Sequence, residues 1–278
     1  GAVDIHIEVI GKQGHAAYPQ LAKNPLHGAS KIISFFDDEV LDDGTDFYGW
    51  QIQKKGKTVQ KLIQLIISKI LKEKIKIIGS GRTDAGVHAW EQSAHFDCKR
   101  KIVNHDKFIK SVNFFLNKNL VSILKLKKKN LNFHARYSAK QRIYEYVIIN
   151  RLSSPSIEKN KGWHIRKNLN LETMKKGSKL LEGTHDFSTF RATNCYSKTA
   201  IRTLKKINIK KINYKIIIKF KSKSFLRNQV RSMVGCLKYL GENKWSLKKF
   251  KKVFKSKSRR ACAPPAPPEG LYLTKVNY

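Results

Sequence analysis

The sequence predicts an α+β fold with mixed or antiparallel sheets. Segments typical of strands and helices alternate along the chain, but several strands are adjacent in sequence with no helix between them. Strict alternation would favour a doubly wound parallel sheet, whereas adjacent strands favour antiparallel pairing. With 278 residues, 41% of them hydrophobic, the chain can form two sheet-and-helix halves. We place the boundary between Asn150 and Asn168.

The first half is predicted to contain five strands and three helices. Thr58 can cap a helix whose apolar positions recur at helical spacing, and these are Val59, Leu62, Ile63, Ile66, Ile67 and Ile70. Two further helices are expected over residues 21–36 and 106–116. Alternating or β-branched segments predict strands over residues 4–10, 74–78, 91–98, 121–126 and 142–150. Residues 42–45 are expected to form a turn.

The second half begins with a predicted helix over residues 171–181, which ends before Gly183. Residues 201–226 favour two long strands around a turn near Lys211. A helix over residues 226–240 places Leu226, Val230, Met233 and Leu237 on one side. Another helix is expected over residues 245–254, followed by a loop stiffened by prolines and a final strand.

The charge balance indicates a polyanionic partner. Lysine and arginine number 57 against 20 acidic residues, a formal net charge of +37. Such a field favours nucleic acid or an anionic membrane, although a lysine-rich proteome would also raise the charge. A run of 18 apolar residues and the features of a signal peptide are both lacking, so we expect a cytoplasmic protein without a membrane span. Cys98, Cys195, Cys236 and Cys262 form no CxxC pair, and we expect reduced thiols that serve packing.

The motif GSGRTDAGVHAWEQSAHFD, residues 79–97, places the carboxylate of Asp84 near Arg82 and between glycines. Five other motifs occur in the chain: DGTDFYGWQIQ (43–53), FHARYSAKQRIYEY (133–146), LEGTHDFSTF (181–190), FLRNQVRSMVG (225–235) and APPEGLYLTKVNY (266–278). Taken in their order along the chain, the six motifs resemble the tRNA pseudouridine synthase A family from about residue 43 to residue 278.

The resemblance implies both a fold and a reaction. Two ferredoxin-like halves, residues 44–150 and 151–278, would enclose a basic cleft, and the protein would be a homodimer. It would isomerise uridine to pseudouridine in the anticodon stem-loop of tRNA, at positions 38, 39 and 40. The resemblance implies no cofactor and no metal. His88 and His95 lack the spacing of metal ligands, and we expect packing or phosphate contacts from them.

The resemblance also implies roles for four side chains. Asp84 would be the catalytic residue, as a nucleophile or as a base on the sugar, and Arg231 would keep it ionised. Arg82 would help to displace the target base, and Tyr144 would stack on the flipped uracil. Without the resemblance, each residue has another interpretation. Asp84 could form an Asx turn, Arg82 could bind a phosphate and Tyr144 could be a core residue. For Tyr146, a core position is favoured.

Residues 1–43 do not resemble the synthase family. The segment VDIHIEVIGKQGHAAYPQLAKNPLHGASKI resembles part of the lid domain of succinyl-diaminopimelate desuccinylase, without that family's zinc domain, so we expect no hydrolase activity. The acidic residues before position 43 would make a poor central strand. We therefore expect a distorted or edge-exposed first half, or replacement of the missing strand by part of this segment. The alternative function is a non-catalytic RNA-binding scaffold.

Overall fold

In the computed structural model, which describes residues 2–9 and 47–278, eleven strands join in one sheet. They are β1 (Ala2–Val9), β2 (Ile78–Gly79), β3 (His88–Asp97), β4 (Val121–Lys128), β5 (Gln141–Asn150), β6 (Trp163–Ile165), β7 (Gly183–Asp186), β8 (Ile201–Leu204), β9 (Asn208–Ile212), β10 (Lys215–Ser222) and β11 (Leu271–Asn277). The helices are α1 (Val59–Leu71), α2 (His105–Leu116), α3 (Leu171–Lys179), α4 (Gln229–Gly241) and α5 (Leu247–Lys255).

The sheet is mixed, as the sequence predicts. Its order is β4-β1-β3-β11-β5-β10-β8-β7, with β2 paired to β3, β6 to β5 and β9 to β10. Strand β11 runs parallel to β3 and antiparallel to β5, so it lies between two strands that are distant from it in sequence. Strand β6 is parallel to β5, and the remaining described pairs are antiparallel. The α+β prediction is therefore confirmed.

Helix α1 forms where its cap and apolar spacing predict it. The Thr58 side chain accepts a hydrogen bond from the Lys61 amide, and Lys72 ends the helix in a left-handed conformation. Ile63 and Ile66 are fully buried in the same apolar core as Ile5 from the sheet. Burying such side chains stabilises the fold by about 1.5–3 kcal/mol each.

Two predicted strand regions differ from the structure. Residues 74–78 are mostly irregular, because the Ile75 and Ile77 amides donate to the Ser68 and Gln64 side chains of α1 instead of to a strand. The first of the two long strands in residues 201–226 is divided into β8 and β9. Between β8 and β9, the Ile207 amide donates to the Glu182 carboxylate at 2.8 Å instead of to a neighbouring strand. The turn lies at residues 213–214, after the expected Lys211.

Strand β1 comes from the segment that does not resemble the synthase family. It lies between β3 and β4, with Ile5 opposite Ala94 on one side and opposite Leu126 on the other. Asp4 is buried, and its carboxylate accepts a hydrogen bond of 2.7 Å from the Ser93 hydroxyl. Of the expected alternatives, the structure thus shows this segment supplying a strand. The predicted helix at residues 21–36 and turn at residues 42–45 lie outside the described residues.

Candidate active site

Asp84 lies on a loop, residues 80–87, which we call the Asp84 loop. Its first residue is fixed to β3, because the Ser80 amide donates to the Ser93 carbonyl at 2.7 Å and the Ser80 hydroxyl donates to Gln92 at 2.7 Å. The Trp50 amide donates to the Thr83 carbonyl at 3.1 Å. Strand β3 and the segment around Trp50 therefore hold the loop on both sides of its arginine.

Two glycines allow this arrangement. Gly49 has φ +93°, and a Cβ there would lie 2.5 Å from the Thr83 carbonyl oxygen, so only glycine fits beneath the loop. Gly86 has φ +74° and turns the chain back into β3 two residues after Asp84. The motif that contains Gly49 thus supports the Asp84 loop directly.

The Asp84 carboxylate faces two guanidinium groups. Arg231 Nη1 lies 3.5 Å from Oδ2, and Arg227 Nε lies 3.7 Å from Oδ1. Arg231 is held in place because its Nε donates to the Ala266 carbonyl at 2.7 Å. The Asp84 side chain is 31% exposed, so the carboxylate is open to a ligand while it pairs with two guanidinium groups.

Arg227 has a position that the sequence did not predict. Helix α4 begins at Gln229 instead of near residue 226, and Asn228 takes a left-handed conformation with φ 60°. Arg227 therefore precedes the helix, yet its side chain still reaches Asp84. The sequence does show Arg227 four positions before Arg231 in the same motif, but no role was predicted for Arg227.

Tyr144 lies on β5 between β10 and β11, and its ring packs edge-on against Phe225 with centroids 5.2 Å apart. Burial raises the pKa of Tyr144 to about 12, and the nearby Asp84 carboxylate adds to the rise. The hydroxyl is therefore neutral at physiological pH. Tyr146, two residues along, is fully buried and donates from its hydroxyl to the Pro267 carbonyl, which fits the expected core position.

Arg82 is exposed on the Asp84 loop. Among the described residues, Arg227 and Arg231 make the ion pairs of Asp84, and Arg82 does not. The structure thus pairs Asp84 with Arg231, buries Tyr144 in the core near enough to Asp84 for the carboxylate to affect its pKa, and leaves the Arg82 side chain exposed.

Arg142 is a buried side chain whose importance the sequence did not reveal. Its guanidinium donates to the Ser80 carbonyl from Nε and Nη2, to the Lys223 carbonyl from Nη1 and to the Arg136 carbonyl from Nη2. Burial lowers its pKa from the ordinary value. The signal available was an arginine at a position of β5 that shares its side with Tyr144 and Tyr146.

The two histidines near the Asp84 loop serve packing and hydrogen bonding. His88 stacks on Tyr272 with ring centroids 4.5 Å apart, and His95 Nδ1 accepts from the Ala135 amide at 3.1 Å. Burial lowers the pKa of both. In the described residues, no group of three or more histidine, cysteine or acidic side chains could hold a metal ion.

Two further observations concern the described part of the chain. Its helices are all too short or too polar to cross a membrane. The sulfur atoms of Cys236 and Cys262, which are 26 residues apart, lie 3.5 Å from each other, a proximity that their sequence spacing did not indicate.

Comparisons with known proteins identify relatives of most of the chain. A family model described as tRNA pseudouridine synthase matches residues 41–138 and 178–278. The tRNA pseudouridine synthase A of Pelagibacter ubique is 65% identical over 235 residues, which cover 84% of this chain and 96% of that protein. The enzymes of the same name from Parvibaculum lavamentivorans and Neorickettsia sennetsu are 39% and 40% identical, cover 85% and 84% of this chain, and are each matched over 96% of their length.

Proposed function

The chain belongs to the tRNA pseudouridine synthase family, and we propose that it isomerises uridine to pseudouridine in the anticodon stem-loop of tRNA, at positions 38, 39 and 40. The observation that carries the proposal is the Asp84 carboxylate, which lies 3.5 Å from Arg231 in a chain 65% identical to an enzyme of that name. The net charge of +37 suits a polyanionic substrate.

The reaction needs an ionised carboxylate beside a uridine that has left its stack. The bond from N1 of uracil to C1′ of the ribose breaks, the base turns, and a bond from C5 to C1′ forms. C5 then loses its proton, and N1 carries one in the product, so the reaction needs no oxidant or energy donor. We propose that Asp84 acts on the ribose, as a nucleophile at C1′ or as a base, and that Arg227 and Arg231 pair with its carboxylate and hold it in place.

Two other side chains complete the proposed site. Arg82, exposed on the Asp84 loop, would occupy the space that the target base leaves, because a planar guanidinium can stack on the remaining bases. Tyr144 would contact the flipped uracil, as the resemblance to the family implies. Unstacking the base costs a few kcal/mol, which these contacts would offset.

Formation of pseudouridine in an unmodified tRNA transcript tests the proposal. Because uridine and pseudouridine have the same mass, mass mapping after chemical labelling of pseudouridine should show conversion at positions 38 to 40 with the wild-type chain. We expect Asp84→Asn to lower the single-turnover rate by about 10²–10⁴-fold or more, since it removes the reacting carboxylate. Binding of tRNA should stay within about 3-fold, because the substitution keeps the size of the side chain.

Asp106→Asn provides the matched control, because Asp106 is an exposed aspartate in the first turn of α2. It should keep full activity. Turnover by Asp84→Asn at the wild-type rate would refute the role assigned to Asp84. Tight binding without product from the wild-type chain would favour the alternative, a non-catalytic RNA-binding scaffold, which the arginine-flanked Asp84 argues against.

We further propose that the protein is a cytoplasmic homodimer. Each chain would consist of three parts: an N-terminal segment (1–43), a first half (44–150) and a second half (151–278). The first segment would derive from a desuccinylase-like lid, on the resemblance noted above. Sedimentation measures the mass of the protein in solution and so tests the dimer. A mass equal to that of one chain at the concentration used in the activity assay would exclude it.

A further inference from the structure

We propose that a groove beside the Asp84 loop binds and stacks unpaired nucleotides next to the target uridine, a proposal that rests on the proposed function. The groove has a volume of about 760 Å³, and it is lined by the cations of Lys128, Lys129 and Lys140 together with the rings of Phe133 and Tyr278. We call it the lysine–aromatic groove.

The aromatic rings of the groove are held in fixed positions. Phe133 and Tyr278 pack with ring centroids 4.9 Å apart, and the Lys129 ammonium lies 5.1 Å from the Phe133 centroid. The Tyr278 hydroxyl lies 2.8 Å from the Ser93 hydroxyl and donates to the Ala135 carbonyl at 2.9 Å. Both rings are therefore in place before a ligand arrives, which lowers the entropic cost of binding.

A third ring, that of Tyr137, lies at the surface of the connection between β4 and β5, residues 129–140, which we call the groove loop. It is 73% exposed, and it rests on His134 with ring centroids 4.3 Å apart. The Arg136 guanidinium lies 5.7 Å from the Tyr137 centroid. A large exposed ring that is supported by a second ring and accompanied by a cation is a stacking platform for a base.

The groove is connected to the active site through Arg142. The Arg142 guanidinium donates both to the Arg136 carbonyl of the groove loop and to the Ser80 carbonyl of the Asp84 loop. Arg142 also lies close enough to Tyr144 and Tyr278 for both to affect its pKa. One buried side chain thus bridges the loop that borders the groove and the Asp84 loop, which supports the proposal that one RNA contacts both.

The chemistry of the groove favours unpaired RNA over a duplex or a lipid surface. Lysines that follow a backbone, interleaved with aromatic rings, are the pattern of single-strand binding, because phosphates pair with the cations while bases stack on the rings. A duplex keeps its bases stacked on each other and offers no free base to Tyr137. The nucleotides on either side of a flipped uridine lose one stacking partner each, and the groove can supply it.

The test compares two RNAs and two variants. One RNA is a stem-loop with the target uridine, and the other carries abasic nucleotides on both sides of that uridine. We expect Tyr137→Ala to weaken binding of the intact stem-loop by about 5- to 150-fold, the value of one lost base stack. Binding of the abasic RNA should not change, because that RNA has no base to stack. Lys129→Glu should weaken binding of both RNAs, since it acts on phosphate.

Matched controls come from the hairpin between β9 and β10, at the opposite end of β10 from Ser222. Tyr214 has the Arg151 guanidinium 4.6 Å from its ring centroid, and Lys211 is exposed. Tyr214→Ala and Lys211→Glu should bind both RNAs as the wild type does. Thermal melting of all four variants verifies that they fold, which the exposure of Tyr137 favours.

Three outcomes decide the proposal. Binding by Tyr137→Ala and Lys129→Glu equal to that of their controls would overturn it, and an equal loss by Tyr137→Ala on the intact and abasic RNAs would overturn the stacking role. The expected selective loss would support it. If the wild type bound the stem-loop but formed no pseudouridine, the proposed function would fail, while the binding data would still decide the groove.

Discussion

The Arg142 guanidinium connects three chain segments that are distant in sequence. Its partners are the carbonyl groups of Ser80, Arg136 and Lys223. Ser80 begins the Asp84 loop, so Arg142 contributes to the position of Asp84 without contacting it. A lysine keeps the charge, but its single ammonium cannot reproduce the planar set of donors that serves three acceptors. Arg142 is thus a positioning residue.

We predict that Arg142→Lys lowers kcat by about 10- to 100-fold while the Kd for tRNA stays within about 3-fold, because a small displacement of a catalytic group affects the chemical step most. Rapid-quench turnover at saturating tRNA and a separate binding titration measure the two quantities. The control is Arg151→Lys, which alters another arginine that donates to loop carbonyls, just after β5. An unchanged kcat, or a loss that only follows the folded fraction, would contradict the role.

Among single residues, the resemblance to a family identified candidates that lie within the shared motifs. Asp84, Arg231 and Tyr144 were named in this way; the structure pairs Asp84 with Arg231 and buries Tyr144, and the roles of all three remain predictions. Arg142 and Arg227 were missed because their roles depend on contacts across the fold: Arg142 acts through a carbonyl 62 residues away. Arginine is also common on solvated surfaces, so the residue type alone does not indicate such a role.

Strand β1 shows how one element can come from an unrelated segment. Between β3 and β4 it contributes Ile5 and Ile7 to the core, and it carries polar groups on alternate positions. His6 Nδ1 lies 2.6 Å from a Glu91 oxygen, and Nε2 lies 3.3 Å from an Asp4 oxygen, while Lys125 of β4 is its cross-strand neighbour. The two carboxylates outweigh the effects of burial and raise the pKa of His6, with the Asp4 hydrogen bond as the largest cause.

The raised pKa makes the contribution of His6 dependent on pH. A group whose pKa rises on folding stabilises the fold fully below its unfolded pKa of about 6.5, and this contribution is lost as pH rises through the higher folded value. We predict that His6→Gln lowers the free energy of unfolding by about 1 kcal/mol at about pH 5.5 and much less at about pH 9. Urea unfolding at both pH values measures the difference.

A double-mutant cycle with Glu91→Gln provides the control for this prediction. Once Glu91 is neutral, His6→Gln should cost less at the lower pH, since one of the two carboxylates that hold the imidazolium is gone. An identical cost of His6→Gln at both pH values would mean that the Asp4 and Glu91 carboxylates do not hold a protonated His6.

The positions of elements followed from local signals, whereas their pairing did not. Thr58 caps α1 where the sequence predicts it, since caps act within one turn, and α2 begins at His105, one residue before the expected start. Residues 74–78 have the composition of a strand, but side chains of α1 take their amide groups. The parallel pairing of β11 with β3 joins residues more than 180 positions apart, which no local pattern encodes.

At the scale of the whole molecule, the excess of positive charge has two explanations that predict different salt dependence. If the lysines reflect only the composition of a proteome, tRNA affinity should depend weakly on ionic strength. If they neutralise phosphates, binding releases counterions, and the logarithm of the association constant falls linearly with the logarithm of salt concentration. The net charge of +37 is compatible with both.

We predict that raising monovalent salt from about 50 to about 200 mM weakens tRNA binding by about 10³-fold, as expected for six or more phosphate contacts. The kcat at saturating tRNA should change by less than about 3-fold, because Asp84 and Arg231 interact at 3.5 Å, well within the Debye length. Lys129→Glu should reduce the slope of the salt plot by about 1, as loss of one phosphate contact requires, and Lys211→Glu should leave it unchanged. A flat plot for the wild type would assign the charge to composition, and equal slopes for the two variants would mean that charge at the groove contributes no more than charge elsewhere on the surface.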